Sequence, residues 1–255
     1  MTMLEHFSKV RMHHGDICIA FTPDEEIGKG MDNFDYSKFS SPIAYTVDGS
    51  TTGEISYENF NAATAKIEIE GKSCHCGSAK NIMVNASLIA NEIISSLPNE
   101  IPANTDGYEG FYHLEKIKGT VSAAYLEFLI RDFDKDKFEY RKRFLAELVS
   151  KLNEKYNNRI KLTITDSYYN MRNIIEQDMN VVDVATVAMK NLEIEPIIVP
   201  IRGGTDGARL SFEGLPCPNL GTGGYAFHGP YEHITVEGMD KAVEIMLGIV
   251  RLYQK

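Results

Sequence analysis

The sequence contains no tryptophan, and among its 255 residues it has only four cysteines, Cys18, Cys74, Cys76 and Cys217. So few thiols in a chain of this length do not form a disulfide framework. We interpret Cys18 and Cys217 as small buried apolar residues. Residues 1–14 also lack the organisation of a signal peptide. Together these absences predict a cytoplasmic protein.

The sequence also lacks an excess of basic residues and any long apolar run. Its 26 lysines and arginines are outnumbered by 36 acidic residues, which gives a formal net charge of −10. This balance, without a stripe of basic residues, argues against a nucleic-acid partner. No apolar run reaches the roughly 20 residues needed to cross a bilayer, so no membrane association is expected. The remaining composition, 43% hydrophobic and 24% charged, is typical of a soluble globular protein.

Two continuous apolar runs predict strands buried on both faces, Ile17–Phe21 and Ile43–Val47. Thr22-Pro23-Asp24 ends the first run, and Asp48-Gly49 ends the second. Because both runs end in acidic residues, they indicate an α/β sheet whose chemistry lies at the carboxyl ends of its strands. The composition of Thr2–Arg11 predicts a short helix before them.

From about residue 54 the pattern changes to strand, helix, strand, strand, helix, strand. These six predicted elements are Ala62–Glu70, Met83–Leu97, Phe111–Gly119, Ala123–Phe133, Lys135–Tyr156 and Ile160–Thr165. The β-α-β-β-α-β order is that of the split ferredoxin-like unit, so we predict an inserted domain between two pieces of an α/β domain. The second piece has three predicted elements, the helix Met179–Asn191, the buried strand Ile197–Ile201 and the helix Val236–Tyr253.

The sharpest motif is Thr22-Pro23-Asp24-Glu25-Glu26-Ile27-Gly28, directly after the first predicted strand. Adjacent carboxylates on a turn point in different directions, so one can bind a metal ion while the other transfers protons. The alternative is that the pair marks a solvated helix start, where carboxylates interact favourably with the helix dipole.

Two further candidate ligands follow the second strand and lie in a Gly-rich loop. Asp48, in YTVDG, reads as a turn residue by itself, but its place at a strand's carboxyl end parallels that of Glu25 and Glu26. His228 stands in GGYAFHG, and imidazole is the commonest metal ligand. The alternative for His228 is a loop histidine hydrogen-bonded to the backbone.

His75 lies between two cysteines, in Ser73-Cys74-His75-Cys76-Gly77, inside the predicted insertion. A Cys-x-Cys pair beside a histidine suggests a structural zinc site, but such a site needs four ligands at workable spacing. The sequence nearby does not supply the rest, so we set this interpretation aside.

The turn Arg202-Gly203-Gly204-Thr205-Asp206 places one cation beside two glycines. The planar guanidinium of Arg202 suits a carboxylate ligand, and the glycines let backbone N–H groups approach the same ligand. We interpret Arg202 as ligand-binding and Asp206 as a brace of the loop. The alternative is that Arg202 pairs with Asp206.

Several long blocks follow one another through nearly all of the sequence: FTPDEEIGKG, AYTVDG, ENFNAATAKIEIEG, TDGYEGFYHL, IRDFD, DSYYNM, PIRGGTDGARLSFEGLPCPNLGTGGYAFHG and EGMDKAVEI. Together they resemble the peptidase T family, the tripeptide aminopeptidase branch of the dizinc peptidases. That group also includes carboxypeptidase G and succinyl-diaminopimelate desuccinylase.

The resemblance implies a role for each matching residue. Glu25 would be the general base that activates the attacking water. Glu26 and His228 would bind one zinc ion, and Asp48 would bind the other. His75 would come from the lid domain of a partner subunit and stabilise the oxyanion.

The resemblance also implies how substrate is bound and how the chain is divided. Arg202 would hold the C-terminal carboxylate of the peptide, in a substrate-binding turn with Gly203, Gly204 and Thr205. The implied fold is a partial zinc-peptidase α/β sheet with an inserted ferredoxin-like lid and dimerisation domain, and a homodimer would form through that domain. The predicted bounds are 1–53 and 167–255 for the catalytic domain and 54–166 for the insertion.

Part of the implied metal site has no counterpart in the sequence. Family members carry an earlier His-x-Asp motif and a carboxylate that bridges two zinc ions, and nothing before Glu25 matches either. We therefore expect an N-terminally truncated catalytic domain that binds one zinc ion or none tightly. The first hypothesis is a tripeptide aminopeptidase by descent that is impaired or inactive alone. The alternatives are an enzyme assembled in trans with an N-terminal fragment, and a non-catalytic dimerisation or peptide-binding module.

Overall fold

The computed structural model describes residues 1–10 and 12–254. Its helices are α1 (Thr2–Lys9), α2 (Ala86–Ser96), α3 (Lys135–Tyr156), α4 (Arg172–Ile175), α5 (Asn180–Lys190), α6 (Asp206–Phe212) and α7 (Val236–Leu252). Its strands are β1 (Thr46–Val47), β2 (Glu54–Ser56), β3 (Asn61–Glu70), β4 (Phe111–Gly119), β5 (Ala123–Asp132), β6 (Ile160–Tyr168), β7 (Ile197–Ile198), β8 (Asn219–Leu220), β9 (Gly224–Tyr225) and β10 (His233–Ile234). None of the helices in the described residues is both long and apolar enough to span a bilayer.

Contacts divide the chain into two compact units. Unit 1 comprises Met1–Asn59 and Asn170–Lys255, and unit 2 comprises Phe60–Tyr169. The predicted domain bounds, with an insertion over 54–166, stay a prediction.

The two points at which the chain leaves and re-enters unit 1 are hydrogen-bonded to each other. The N–H of Asn59 donates to the side-chain oxygen of Asn170 at 3.2 Å. The N–H of Met171 donates in turn to the side-chain oxygen of Asn59 at 2.9 Å. The two connections to unit 2 therefore lie next to each other in unit 1.

Unit 2 has the predicted ferredoxin-like architecture. Its sheet has the order β4-β5-β3-β6, and every neighbouring pair is antiparallel. Buried and exposed residues alternate along the second half of β3, as expected of a sheet with one face covered. The buried face of the sheet packs with apolar residues of α2 and α3 in a single core, including Ile67, Leu126, Ile89, Phe138 and Leu145.

Local signals set both ends of α3. The side chain of Asp134 accepts a hydrogen bond from the N–H of Lys137 and caps the first turn. Asn157 ends the helix in a left-handed conformation with φ of 56°. The predicted helix Lys135–Tyr156 is confirmed at both bounds.

Unit 1 contains a mixed sheet with the order β1-β8-β2-β7. The pairs β1–β8 and β2–β7 are parallel, and the pair β8–β2 is antiparallel. Its core joins Ile55 of β2 to buried residues of α5 and α7, including Val182, Ala185, Ile245 and Ile249. The predicted α/β class is confirmed, and α5 and α7 follow the helices predicted for this part of the chain.

Several predictions for unit 1 are wrong. Ile17–Phe21 forms no strand, and the side chain of Phe21 is 76% exposed. The predicted strand Ile43–Val47 shrinks to β1, and Ile197–Ile201 shrinks to β7, in which both residues are exposed. An apolar run indicates a tendency to be buried, but a strand also needs a neighbour that takes up its backbone hydrogen bonds. The described residues supply no such neighbour for Ile17–Phe21.

The first helix of unit 1 was predicted, and two of its short helices were not. The predicted helix Thr2–Arg11 is confirmed over Thr2–Lys9, while Arg11 lies outside the described residues. Both α4 and α6 were not predicted. Helix α6 matters for function, because it begins at Asp206, directly after the Gly-rich turn of residues 202–205.

Candidate functional site

The candidate site begins with the Thr22–Gly30 loop of unit 1, which carries the two adjacent carboxylates. Glu25 opens a single 3₁₀ turn, and the N–H of Gly28 closes it by donating to the carbonyl of Glu25 at 2.7 Å. Asp24 adopts a left-handed φ of 64°, a conformation that aspartate tolerates better than most residues. The turn leaves Glu25 half-buried and Glu26 exposed. A loop, rather than the end of a strand, therefore presents this pair.

Asp206, the first residue of α6, holds this loop from the inside. Its side chain accepts a hydrogen bond from Oγ1 of Thr22 at 3.1 Å, and only 8% of the residue is exposed. Burial raises the pKa of Asp206, while the hydrogen bond from Thr22 and the charge of Arg209 lower it. The sequence predicted that Asp206 braces its own Gly-rich turn, whereas this contact joins it to the distant Thr22–Gly30 loop.

Asp48 directly follows β1 and is fixed through β8. The N–H of Asp48 donates to the carbonyl of Leu220 at 3.1 Å, and Nδ2 of Asn219 donates to the carbonyl of Asp48 at 2.8 Å. The parallel β1–β8 pair thus ends with Asp48 at its carboxyl end. Sequence reasoning missed Asn219, since nothing in its surroundings marks it as a partner of Asp48.

His228 reaches the same site from the Gly-rich loop. It adopts a left-handed φ of 58°, and its N–H donates to Oε2 of Glu232 at 2.9 Å. Its ring nitrogen Nε2 lies 3.0 Å from Oε2 of Glu26. The backbone of His228 is therefore anchored within the loop, and its ring is directed at Glu26.

The charges of these side chains meet at Glu25. Burial raises the pKa of Glu25, and the negative charges of Asp48, Asp206 and Glu26 raise this pKa further, whereas His228 lowers it. Charged side chains act on one another in this way only over short distances. In unit 1, Glu25 therefore lies within electrostatic range of Glu26, Asp48, Asp206 and His228, and Glu26 and His228 are in direct contact.

The other predicted site residues do not all lie in the same unit. Arg202 and Thr205 are half-buried in unit 1 beside Gly203 and the exposed Gly204. Thr205 has a structural task, because its hydroxyl accepts from the N–H of Gly207 at 3.3 Å and caps α6. Its predicted contact with substrate stays a prediction, as do those of Arg202, Gly203 and Gly204.

His75 lies in unit 2, where its side chain is exposed. Its Nδ1 accepts a hydrogen bond from the N–H of Gly77 at 3.2 Å. In the neutral ring the proton is then carried by Nε2, which is left to donate. Among the described residues, no zinc site forms around Cys74 and Cys76.

The donors at the site fit part of a zinc centre. Zinc binds carboxylate oxygen and imidazole nitrogen, and Glu26 and His228 offer one of each within 3.0 Å. Across residues 1–10 and 12–254, however, no group of three or more His, Cys, Asp or Glu side chains is placed to hold a metal ion. The pair therefore supplies fewer protein ligands than a catalytic zinc ion usually takes.

Known proteins resemble this chain over most of its length. Residues 57–160 match the family model of the peptidase dimerisation domain. A peptidase T from Clostridium botulinum is 54% identical over 242 residues, which is 94% of this chain. The chain is therefore similar to peptidase T over nearly its whole length. The match covers 59% of the length of that peptidase T, so the chain spans well under two thirds of the curated relatives it matches.

Solved structures share the fold. A tripeptidase from Staphylococcus aureus superposes with a TM-score of 0.90 at 20% identity, over 99% of this chain and 68% of that chain. The aminopeptidase PepT from Bacillus cereus superposes with a TM-score of 0.87 at 22% identity, with the same coverage of 99% and 68%. Both likenesses extend the peptidase T architecture over both units of the chain.

Proposed function

We propose that the chain supplies the general base, part of the zinc ligands and the peptide-binding turn of an aminopeptidase that removes the N-terminal residue of tripeptides. One observation carries this proposal: Oε2 of Glu26 lies 3.0 Å from Nε2 of His228, with the half-buried Glu25 on the same turn. The similarity to peptidase T supports the substrate class.

The chain's own residues divide the chemistry between them. Glu26 and His228 would hold one zinc ion and Asp48 the other, and zinc would supply Lewis acidity at this site. Glu25 takes a proton from the attacking water and passes it to the departing amine. Its partial burial and the turn at Gly28 keep the carboxylate in place for both transfers.

The Gly-rich turn before α6 orients the peptide. The guanidinium of Arg202 pairs with the C-terminal carboxylate of the substrate, because its two parallel donors match the two carboxylate oxygens. Gly203 and Gly204 let the main chain approach the same carboxylate, and Thr205 keeps the turn fixed by capping α6.

The ferredoxin-like unit contributes to the site through a homodimer. His75 of one subunit donates from Nε2 to the oxyanion that develops in the site of the other subunit. The hydrogen bond from Gly77 to Nδ1 supports this role, because it sets the tautomer that can donate. The match of residues 57–160 to a dimerisation domain supports the homodimer.

A working centre needs donors beyond those that the described residues bring together. Glu26 and His228 alone form a bidentate site, and a catalytic zinc ion usually has three protein ligands. We therefore infer that these residues alone bind zinc weakly and support little hydrolysis, and that full activity requires further metal ligands.

A complementation assay tests the proposal. The chain is mixed with zinc, and with or without a separate polypeptide that comprises the part of the Clostridium botulinum relative outside the match. We expect zinc-dependent release of the N-terminal residue from tripeptides only in the complemented mixture. Replacing Glu25 with Gln should lower this turnover by about 10²-fold or more, the usual contribution of a general base.

A matched control and two contrary results define the test. His233→Ala removes an exposed histidine of β10 that lies outside the cluster, and this variant should keep the activity. Absence of tripeptide hydrolysis from a complemented, zinc-loaded mixture that forms a stable complex would contradict the proposed function. Full activity of the chain alone would refute only the need for additional ligands.

A further inference from the structure

A single buried carboxylate, that of Asp206, touches both ends of the loop that carries Glu25 and Glu26. At the start of the loop, Thr22 donates from Oγ1 to Oδ2 of Asp206 at 3.1 Å. At the end of the loop, Gly30 lies so close that a Cβ added there would be 2.2 Å from the same oxygen and 2.7 Å from Oδ1. The carboxylate therefore lies flat against the main chain of Gly30.

The helix that carries Asp206 is itself held firmly. Gly207 packs against the carbonyl of Cys217, since a Cβ at Gly207 would lie 2.4 Å from that oxygen. Ser211 accepts from the N–H of Cys217 at 3.1 Å and donates to the carbonyl of Gly207 at 2.7 Å. The first turn of α6 is thus fixed directly after Asp206, which makes it a rigid support.

A second contact joins α6 to the chain just after the loop. Arg209 donates from Nη1 to Oδ1 of Asp32 at 2.6 Å, and both side chains are largely exposed. Exposed ion pairs of this kind contribute little to stability. The buried contacts of Asp206 therefore dominate the attachment of the loop to α6.

We propose that Asp206 is a positioning residue that holds both ends of the Thr22–Gly30 loop against α6 and thereby fixes the directions of Glu25 and Glu26. Its effect on hydrolysis rests on the proposed function. The contacts themselves do not, because they are formed by the chain without substrate or metal. The inference therefore admits a test that needs no activity.

Hydrogen exchange of the loop tests the positioning role directly. The N–H groups of Gly28 and Lys29 donate to Glu25 at 2.7 Å and to Asp24 at 3.0 Å, so their exchange reports whether the turn is formed. In Asp206→Ala we expect both to exchange at least about tenfold faster, since a buried hydrogen bond to a charged group is lost. Asp206→Asn keeps the size and an acceptor oxygen and should retain most of the protection.

The contact with Gly30 gives a second, independent arm. Gly30→Ala alone should speed the exchange of Gly28, because its methyl group collides with the carboxylate. In the double variant Gly30→Ala/Asp206→Ala the collision is gone, so the combined effect should be clearly smaller than the sum of the two. Strict additivity would overturn the inference, as would equal losses in Asp206→Ala and Asp206→Asn.

A general loss of stability is separated from positioning by two controls. Asp32→Ala removes a carboxylate that pairs with Arg209 rather than with the loop. Exchange of the loop N–H groups should stay unchanged in this variant. Exchange within α5 should also stay unchanged in Asp206→Ala; an equal rise there would mean that Asp206 only stabilises unit 1 and would overturn the inference.

Cobalt(II) alone serves as the probe of the metal donors. Its visible absorption reports coordination by Glu26 and His228, and Asp206→Ala should weaken cobalt binding while Asp32→Ala leaves it unchanged. Unchanged affinity in Asp206→Ala would overturn the claim that Asp206 orients Glu26. If the unaltered chain does not bind cobalt even in the complemented mixture, the metal-binding part of the proposed function fails, whereas the exchange measurements still decide the role of Asp206.

Discussion

Arg141 donates from Nε to Oδ2 of Asp132 at 2.8 Å, in a pair whose side chains are only 11% and 2% exposed. A second carboxylate, that of Glu100, bonds to the same guanidinium from the solvent side. Asp132 also accepts from the N–H of Asp134 at 3.1 Å, just before α3 begins. This buried pair joins the end of β5 to α3 in the ferredoxin-like unit.

Removal of one partner of this pair should be costly. Asp132→Ala leaves the guanidinium of Arg141 buried without its inner carboxylate, so we expect the free energy of unfolding to fall by about 3–5 kcal/mol. Glu100→Ala removes the half-exposed partner and should cost less than about 1 kcal/mol. Urea denaturation followed by circular dichroism measures both. Similar losses in the two variants would contradict the distinction between the inner and the outer carboxylate.

The thiol of Cys217 should be inert in the folded chain. Burial raises the pKa of Cys217 to about 12, so almost no thiolate exists at pH 8, and thiolate is the reactive form. Cys18, Cys74 and Cys76 are all at least partly exposed. An aromatic disulfide reagent should therefore titrate these three quickly and Cys217 only after unfolding in urea. Cys217→Ala should leave the fast count unchanged; four equally fast thiols would contradict the burial.

Asn219 should matter for the placement of Asp48. Loss of its amide in Asn219→Ala should lower the free energy of unfolding by about 1 kcal/mol, the usual net value of one hydrogen bond. Asn219→Asp should be worse, because it directs a carboxylate at the carbonyl of Asp48. Thermal unfolding at neutral pH compares the two variants. A more stable Asn219→Asp would show that the amide does not hold Asp48.

Glu26 and His228 should act as one unit in metal binding. Glu26→Gln and His228→Ala should each weaken the binding of cobalt(II), and the double variant should lose little more than either alone, because the two side chains share one ion. Titration followed by visible absorption provides the affinities. As a control, His233→Ala should bind like the unaltered chain. Additive losses would place the two residues at separate sites.

The sequence predicts best where local signals decide. The helix Lys135–Tyr156 has its cap at Asp134 and its left-handed end at Asn157, so both ends are determined by adjacent residues. The ferredoxin-like unit as a whole was predictable for a similar reason, since its strands alternate with period two and its helices are amphipathic. The connections β4–β5, β5–α3 and α3–β6 are short and join elements that are neighbours in space.

The rest depends on residues far apart in the chain. The apolar run Ile17–Phe21 looks like a buried strand, but strand formation needs a partner that no local pattern reveals. The cluster around Glu25 was predictable as a set of residue types, because each follows a strand, a turn or a glycine. The contacts that position it were not, since Thr22 meets Asp206 from the other end of unit 1. Only the threonine before Asp206, a frequent helix cap, hinted at α6.

Because Asn59 and Asn170 are hydrogen-bonded to each other, we expect that unit 2 can be removed or replaced. Because these residues are neighbours in unit 1, a short glycine linker can span the gap left by excision of residues 60–169. The entropy of closing a loop changes only slowly with its length. The shortened chain should therefore fold, and peptidase T relatives should tolerate foreign domains grafted at this junction without rebuilding the fold that receives them.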